Sequence, residues 1–532
     1  MDTLRSGEAS AVTASTPKSL LSSASWSLLS TVWFTAVGFL LTPFLTASLG
    51  ADYYGLFLLV TSISGLLTVM DLGLGQATLR YVAYYYGRND LAGINRAMGS
   101  TSAVYLVTGS LAWAMLFFGA PWLASWLALA PADVALGISL LRLTAFNLGL
   151  MLVSGAFGAI PPALQRYDIN SLVTVAQSAL QVVGTVVILR SGGGVYELVL
   201  WAVISTLVRQ IANVVIAKCL IPRLRLMPLP SRAGLREVFG YGVFATATQM
   251  LGIVWKEADR LLVGGLLNTA SVAYLSVPKS LVFRGTDAVA SLGAALFPRF
   301  SVTQDLEEAR RLFLTATWSL LLATSALYVP VTLLFPAFLR LWMGPEFAQE
   351  SARIGQIIAF SCIIRGAYVP YQNLFQGIGK PQYLTAFYLA SGLSSLAFNV
   401  ALIPSWGLAG AGYAYVFTLI WGVVALAFSW RRVLQGQSLR PLLRAVAVPS
   451  ALALSSLMLC NRLYTIPADL GWLGLLAAGG AMMVATTGLM IGVDLIWGAG
   501  SSYAGVLLRA VSGSVVAAPM IRVLMSRWEN RS

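Results

Sequence analysis

Apolar runs of roughly 20 residues recur along the chain, separated by short polar or basic turns. That is the length an α-helix needs to cross about 30 Å of hydrocarbon. The pattern predicts helices over 24–48, 54–78, 97–119, 134–158, 169–189 and 196–217. A second set is expected over 237–264, 271–297, 312–337, 352–375, 383–403 and 408–429, and two more over 445–464 and 472–496. The sum is an all-α polytopic membrane protein of about 14 transmembrane helices. Residues 1–23 are rich in Ser, Ala and Thr and read as a cytoplasmic tail. Residues 498–532 are broken by Gly and Ser, and Arg509, Arg522 and Arg527 among apolar neighbours suggest a cytoplasmic or interfacial segment.

Composition agrees with the pattern. The chain is 58% hydrophobic and only 10% charged, with a mean hydropathy of +0.79, against about 25% charged residues in soluble domains. The net charge of +14 would suggest nucleic acid in a soluble protein. Here it follows the loops, as the positive-inside rule requires, and nucleic acid is not an expected partner. With the N-terminus inside, inner loops carry Arg80, Arg88 and Arg96, then Lys218, Arg223, Arg225, Arg232 and Arg236, and later Arg431, Arg432, Arg440 and Arg444. The opposite loops hold Arg190, Arg340 and Arg462, with Arg353 at a boundary. Both termini are therefore expected in the cytoplasm. There is no histidine, which removes Ser-His-Asp catalysis and histidine metal sites. Cys219, Cys362 and Cys460 lie far apart and form no C-x-x-C. No outer loop is long enough to carry a catalytic domain, so an enzyme is not expected.

A repeat is legible. FGAPWLASW (118–126) resembles LFPAFLRLW (334–342), and LTAF ending at Phe146 matches IIAF ending at Phe360, an offset of 360 − 146 = 214. Gln165 and Gln376 repeat at 376 − 165 = 211. Six helices per copy is an even number, so the two halves, 24–217 and 237–430, are expected to run parallel, with substrate between them near the midplane. The basic segment 218–236 reads as their cytoplasmic linker, and 431–497 holds two additional helices.

The informative residues are the charges inside helices, since one at the bilayer centre costs about 2.5–3.5 kcal/mol on insertion scales. They concentrate in the stretch from Lys256 to Arg284. The cations Arg142, Arg209, Lys256, Arg260, Lys279, Arg284 and Arg365 are candidates to line a substrate path. A cationic lumen suits a pyrophosphate, because guanidinium makes bidentate bonds to phosphate oxygens, and it repels a lipophilic drug cation. Bland readings stand beside this one. Lys256 and Arg260 can simply reach the outer headgroups, Arg209 can snorkel, and Arg284 can neutralise Asp287 at i, i+3. Arg142 and Arg365 lie deeper, on corresponding helices of the halves. For ion coupling the candidates are Asp71, Asp259 and Asp287, with Glu197, Glu257 and Asp494 behind them. Asp71 has a rival role, bonding backbone at the helix end beside Gly73 and Gly75.

The hairpin 49–90 carries Leu49-Gly50, Tyr54-Gly55, Asp71-Leu72-Gly73-Leu74-Gly75-Gln76-Ala77 and Arg80-Tyr81. Further on come Asp259–Gly264 with Tyr274, Pro298-Arg299-Phe300-Ser301, Leu341-Trp342-Met343-Gly344 with Phe347, Gly379-Lys380 and Ile403-Pro404. In this order, over roughly 25–430, the chain resembles the polysaccharide-transport family, within the superfamily that also holds multidrug extruders and lipid II flippases. The resemblance implies an inner-membrane flippase that carries undecaprenyl-pyrophosphate-linked repeat units outward by alternating access, for O-antigen, capsule or exopolysaccharide synthesis. It implies no bound cofactor, drive by an ion gradient (H+ or Na+), and a polysaccharide polymerase with chain-length machinery as candidate protein partners. Helix 24–48 has no Arg or Lys, whereas lipid II flippases carry arginines there. That departure counts against lipid II as cargo. A cation-coupled multidrug exporter of the same superfamily is the other alternative.

Overall fold

The computed structural model describes residues 17–236, 252–253, 257–293, 296–303, 305–463 and 471–497. Most of the expected helix 237–264, including Lys256, the first 16 residues and the segment 498–532 lie outside them. The described residues are mostly helical, joined by short turns and loops, and contain no strand. They belong to two compact units, Met1–Ala273 and Tyr274–Ser532.

In the first unit the long helices are Pro17–Leu67, Leu74–Tyr86, Leu91–Trp126, Val134–Val153, Tyr167–Arg190 and Val195–Leu220. In the second they are most of Thr269–Leu292, then Leu306–Met343, Pro345–Arg365, Tyr368–Gly377, Pro381–Phe417, Leu419–Phe428, Arg440–Leu463 and Trp472–Trp497. Hydropathy locates nearly all of these, and the breaks expected at 49–53 and 404–407 are present, while several other ends and breaks differ from expectation. Pro17–Leu67 is interrupted at Gly50 (φ 77, ψ 167) and Pro381–Phe417 at Gly407 (φ 55, ψ −141). No side chain tolerates these backbone angles well, so glycine sets both breaks. The expected helix 54–78 does not run through; it breaks over 68–73. The expected helix 134–158 ends at Val153, and short turns at Gly155–Gly158 and Ile160–Ala163 follow. The expected helix 352–375 is bent by 49° between Arg365 and Tyr368.

Among the described residues, nine helical stretches are long and apolar enough to span a membrane, or ten with the bent pair counted as one span. The expected fourteen is not reached on that count, for physical reasons. Two of the nine, Val32–Asp71 and Pro381–Val433, hold 40 and 53 residues and are broken at glycine. At 1.5 Å per residue each has length for two crossings of about 30 Å. The helix Thr269–Leu292 is long enough but carries Lys279, Arg284 and Asp287.

Each unit has its own core. The first centres on Leu74, Val82, Ile94, Met98, Tyr105 and Leu148, the second on Phe313, Leu321, Phe375, Leu426 and Trp430. The basic segment after Leu220 is not loose. Its backbone binds Asn95 (Arg225 N to Oδ1, 2.7 Å) and Ser100 (Ser231 N to Oγ, 3.1 Å) on the Leu91–Trp126 helix. Residues 257–266 pack on the first unit as well: Ala128 N donates to Gly264 O at 3.1 Å.

If glycine sets the break at 407, Gly407→Ala destabilises the protein by about 1–3 kcal/mol. Gly480, in a regular helix with open space around its missing Cβ, accepts alanine without loss. Detergent melting curves of the two variants check this.

Candidate functional site

A cavity of about 460 Å³ opens inside the first unit where two helices are interrupted. On one side Thr68–Asp71 tightens into a 3₁₀ turn, and Leu72 (φ 50) and Gly73 (φ 69) both turn left-handed before Leu74–Tyr86 begins. Left-handed geometry is easy for Gly73 and costs Leu72 about 1 kcal/mol. Facing it are Gly155, Gly158 and Ala159, from the break after Val153. Non-helical backbone at membrane depth is tolerated only inside protein or against a water-filled cavity, and these two breaks share one.

Asp71 lines this cavity, with the Tyr105 hydroxyl donating to its Oδ1. Arg209, Gln210 and Asn213 approach from Val195–Leu220. Arg209 Nη1 donates to Gln177 Oε1 at 2.9 Å. Its Nε is buried without a hydrogen-bond partner among the described residues. Gln210 and Asn213 are each 8% exposed, and Asn213 Nδ2 donates to Gln210 Oε1 at 3.2 Å. The partner shown for Asp71 is thus the Tyr105 hydroxyl rather than the backbone at the helix end. Asp71 is the carboxylate of a polar cavity.

Elsewhere in this unit the predicted charges are spoken for differently. Arg260 makes an ion pair with Glu257 at 2.9 Å, both side chains largely covered, and its Nη1 also reaches Ser62 Oγ at 3.3 Å. Asp259 is 3% exposed and accepts the Arg260 backbone N–H at 2.8 Å. Arg260 thus sits in a largely covered polar cluster with Glu257, Asp259 and Ser62. Arg142 is exposed about 12 Å along its helix. Its guanidinium lies 5.1 Å over Phe117, which packs on Trp113 and Phe146.

In the second unit two predicted cations meet one aromatic pair. Lys279 is 2% exposed, with Nζ 5.8 Å from the Tyr415 ring centre. Tyr415 meets Phe283 edge-on at 5.6 Å, and the Arg365 guanidinium lies 5.0 Å over Phe283. Arg365 ends its helix at the 49° bend. Nearby tyrosine hydroxyls are committed to backbone: Tyr328 donates to Val282 O at 2.6 Å and Tyr368 to Leu419 O at 2.9 Å. Cation–π contacts of this kind contribute about 0.5–2 kcal/mol, the more so when desolvated. Arg284 and Asp287 are exposed on Thr269–Leu292. Among the described residues no cluster of three or more His, Cys, Asp or Glu could hold a metal ion.

Residues 20–304, more than half of the chain, match the family described as polysaccharide biosynthesis protein. The chain belongs to this family. A Shigella flexneri protein named as an O-antigen transporter is 21% identical over 425 residues, covering 78% of this chain and 98% of its own. The amylovoran biosynthesis protein AmsL of Erwinia amylovora is 28% identical over 120 residues, 22% of this chain and 30% of its own. The solved lipid II flippase MurJ, in an inward closed conformation, superposes with a TM-score of 0.67 at 15% identity, covering 88% of this chain and 100% of that one. An inward-facing multidrug resistance MATE transporter of the MOP superfamily gives 0.65 at 17%, covering 77% and 96%. At these identities the likeness is one of fold. The chain is a multi-span membrane protein of a polysaccharide biosynthesis family with a transporter-like fold. The family match includes the whole lining of the first-unit cavity, whereas Arg365 and Tyr415 lie beyond it.

Sequence reasoning missed Tyr105, Gln210, Asn213, Phe283 and Tyr415. A signal existed for the amides: Gln177, Gln181, Gln210 and Asn213 stand in otherwise apolar spans, where polar side chains need partners.

The Arg260–Glu257 pair predicts strong coupling. Arg260→Gln and Glu257→Gln each lower the melting temperature, and the double variant is less damaged than their sum by at least about 1 kcal/mol. A double-mutant cycle in detergent measures it.

Proposed function

We propose that this transporter moves polyprenyl-pyrophosphate-linked oligosaccharide repeat units from the cytoplasmic to the periplasmic leaflet of the bacterial inner membrane, for surface polysaccharide synthesis. The observation that carries the reading is the pair of cations, Lys279 and Arg365, held on the faces of Tyr415 and Phe283 inside an apolar unit. Membrane proteins retain such charges where an ion or an anionic substrate passes. A pyrophosphate is the anion of this cargo, and the fixed fork of Arg suits its oxygens. Family membership and the Shigella relative supply the glycan. A lipophilic cation would meet repulsion from the same groups, which argues against multidrug export.

The cycle in this reading is alternating access, with both termini cytoplasmic, and an H+ or Na+ gradient supplies the drive. Asp71, Asp259 and Asp287 are its candidate carboxylates. A polysaccharide polymerase with its chain-length machinery would take the delivered units.

The test is complementation of a strain lacking the gene. Arg365→Ala and Arg284→Ala are expected to reduce surface glycan export at least about tenfold, a loss of ~1.4 kcal/mol or more in transport, while protein abundance in the membrane holds. Normal export by both variants would contradict the cationic path.

A further inference from the structure

The first-unit cavity has a composition that neither an ion nor a pyrophosphate explains. Its volume of about 460 Å³ falls within the ~300–1,000 Å³ of small-molecule sites and far exceeds the ~30 Å³ share of one water. Its charged and amide groups are mixed: one carboxylate, one guanidinium and three planar amides, the exposed Gln76 and the buried Gln210 and Asn213. A pyrophosphate would be repelled by Asp71, and a bare cation by Arg209. A neutral, polyhydroxylated ligand matches both, since each of its hydroxyls can donate to a carboxylate or amide oxygen and accept from an amide or guanidinium N–H.

The side chains are arranged to leave that capacity open. Tyr105 occupies Asp71 Oδ1, which fixes the carboxylate and leaves Oδ2 as an acceptor. The Asn213-to-Gln210 bond uses one amide N–H and one amide oxygen, and leaves the Gln210 NH₂ and the Asn213 oxygen. Both residues are more than nine-tenths buried and line the cavity, where a ligand hydroxyl can reach them. Apolar walls from Leu79, Met151 and Leu152 can cover the C–H faces of a ring.

Resting on the flippase reading above, we infer that this cavity is a subsite for a sugar of the cargo's headgroup. Asp71, Gln210 and Asn213 bond its hydroxyls, separately from whichever cations hold the pyrophosphate. The transporter then selects on the glycan as well as on the lipid carrier.

The test uses the full chain with Cys219 and Cys460 replaced by alanine; Cys362 is buried. Gly158→Cys supplies a reporter, because a Cβ there sits 3.5 Å from Asn213 Nδ2 in ordinary contact. Maleimide labelling in detergent is followed with lipid-linked repeat units extracted from the native host, or with undecaprenyl pyrophosphate, as competitor. The sugar-bearing lipid is expected to slow labelling about threefold at twice its dissociation constant, and undecaprenyl pyrophosphate to leave the rate unchanged. Asn213→Ala and Gln210→Ala are expected to abolish protection, each read against its own labelling rate without competitor, and a cooperative detergent melting curve for each variant reports that it is folded. Equal protection by the sugar-free lipid, protection by Na+ alone, or no protection by the sugar-bearing lipid would each overturn the subsite. Failure of the flippase reading shows separately, as unchanged glycan export in a strain lacking the gene.

Discussion

Within a hydrocarbon slab about 30 Å thick, a polar group has only other protein groups, or a water-filled cavity, to bond. That constraint organises this chain. Arg260 survives beside Glu257 and Ser62, and Lys279 and Arg365 lie on aromatic faces. The interrupted backbone at 68–73 and 154–163 turns toward a shared cavity rather than toward lipid. Where the constraint is obeyed within one helix the result is a plain span. Where it needs neighbouring helices, the result is a place that substrate or an ion can use.

The three charged regions therefore differ in kind. The Glu257–Arg260 cluster is closed on itself, and its cost is met by internal pairing. The Lys279–Tyr415–Phe283–Arg365 series sets two cations against the faces of one aromatic pair. The Asp71 cavity is mixed in polarity and lies next to backbone that is already non-helical, at a left-handed leucine. A transporter needs binding firm enough to select and loose enough to let go, and dispersing the contacts over separate polar regions of this type serves that purpose.

Much of this was legible from residues. Hydropathy found the spans because twenty apolar residues in a row have few other uses, and the charges at Asp71, Arg209, Lys279 and Arg365 marked positions that the structure places against cavities or rings. The breaks at Gly50 and Gly407 fall in the gaps that the sequence pattern leaves at 49–53 and 404–407. The break at Leu72-Gly73 was less legible, since it lives in backbone angles and leaves no mark on apolarity. Arg260 was ambiguous because Glu257 lies one turn away on the same helix, and only the packing of 257–266 against the Ser62 helix shows that the two bond each other. Tyr105, Gln210 and Asn213 were missed because they carry no net charge, and a search for intramembrane charges passes over them.

The central claim is that the buried cations and the polar cavity serve a lipid-linked glycan. Its most direct test is to delete the gene in the native host and measure surface polysaccharide together with polyprenyl-pyrophosphate oligosaccharides on the cytoplasmic face. The account predicts loss of the surface glycan and accumulation of complete lipid-linked repeat units inside. Intact surface glycan with altered sensitivity to cationic drugs would contradict it.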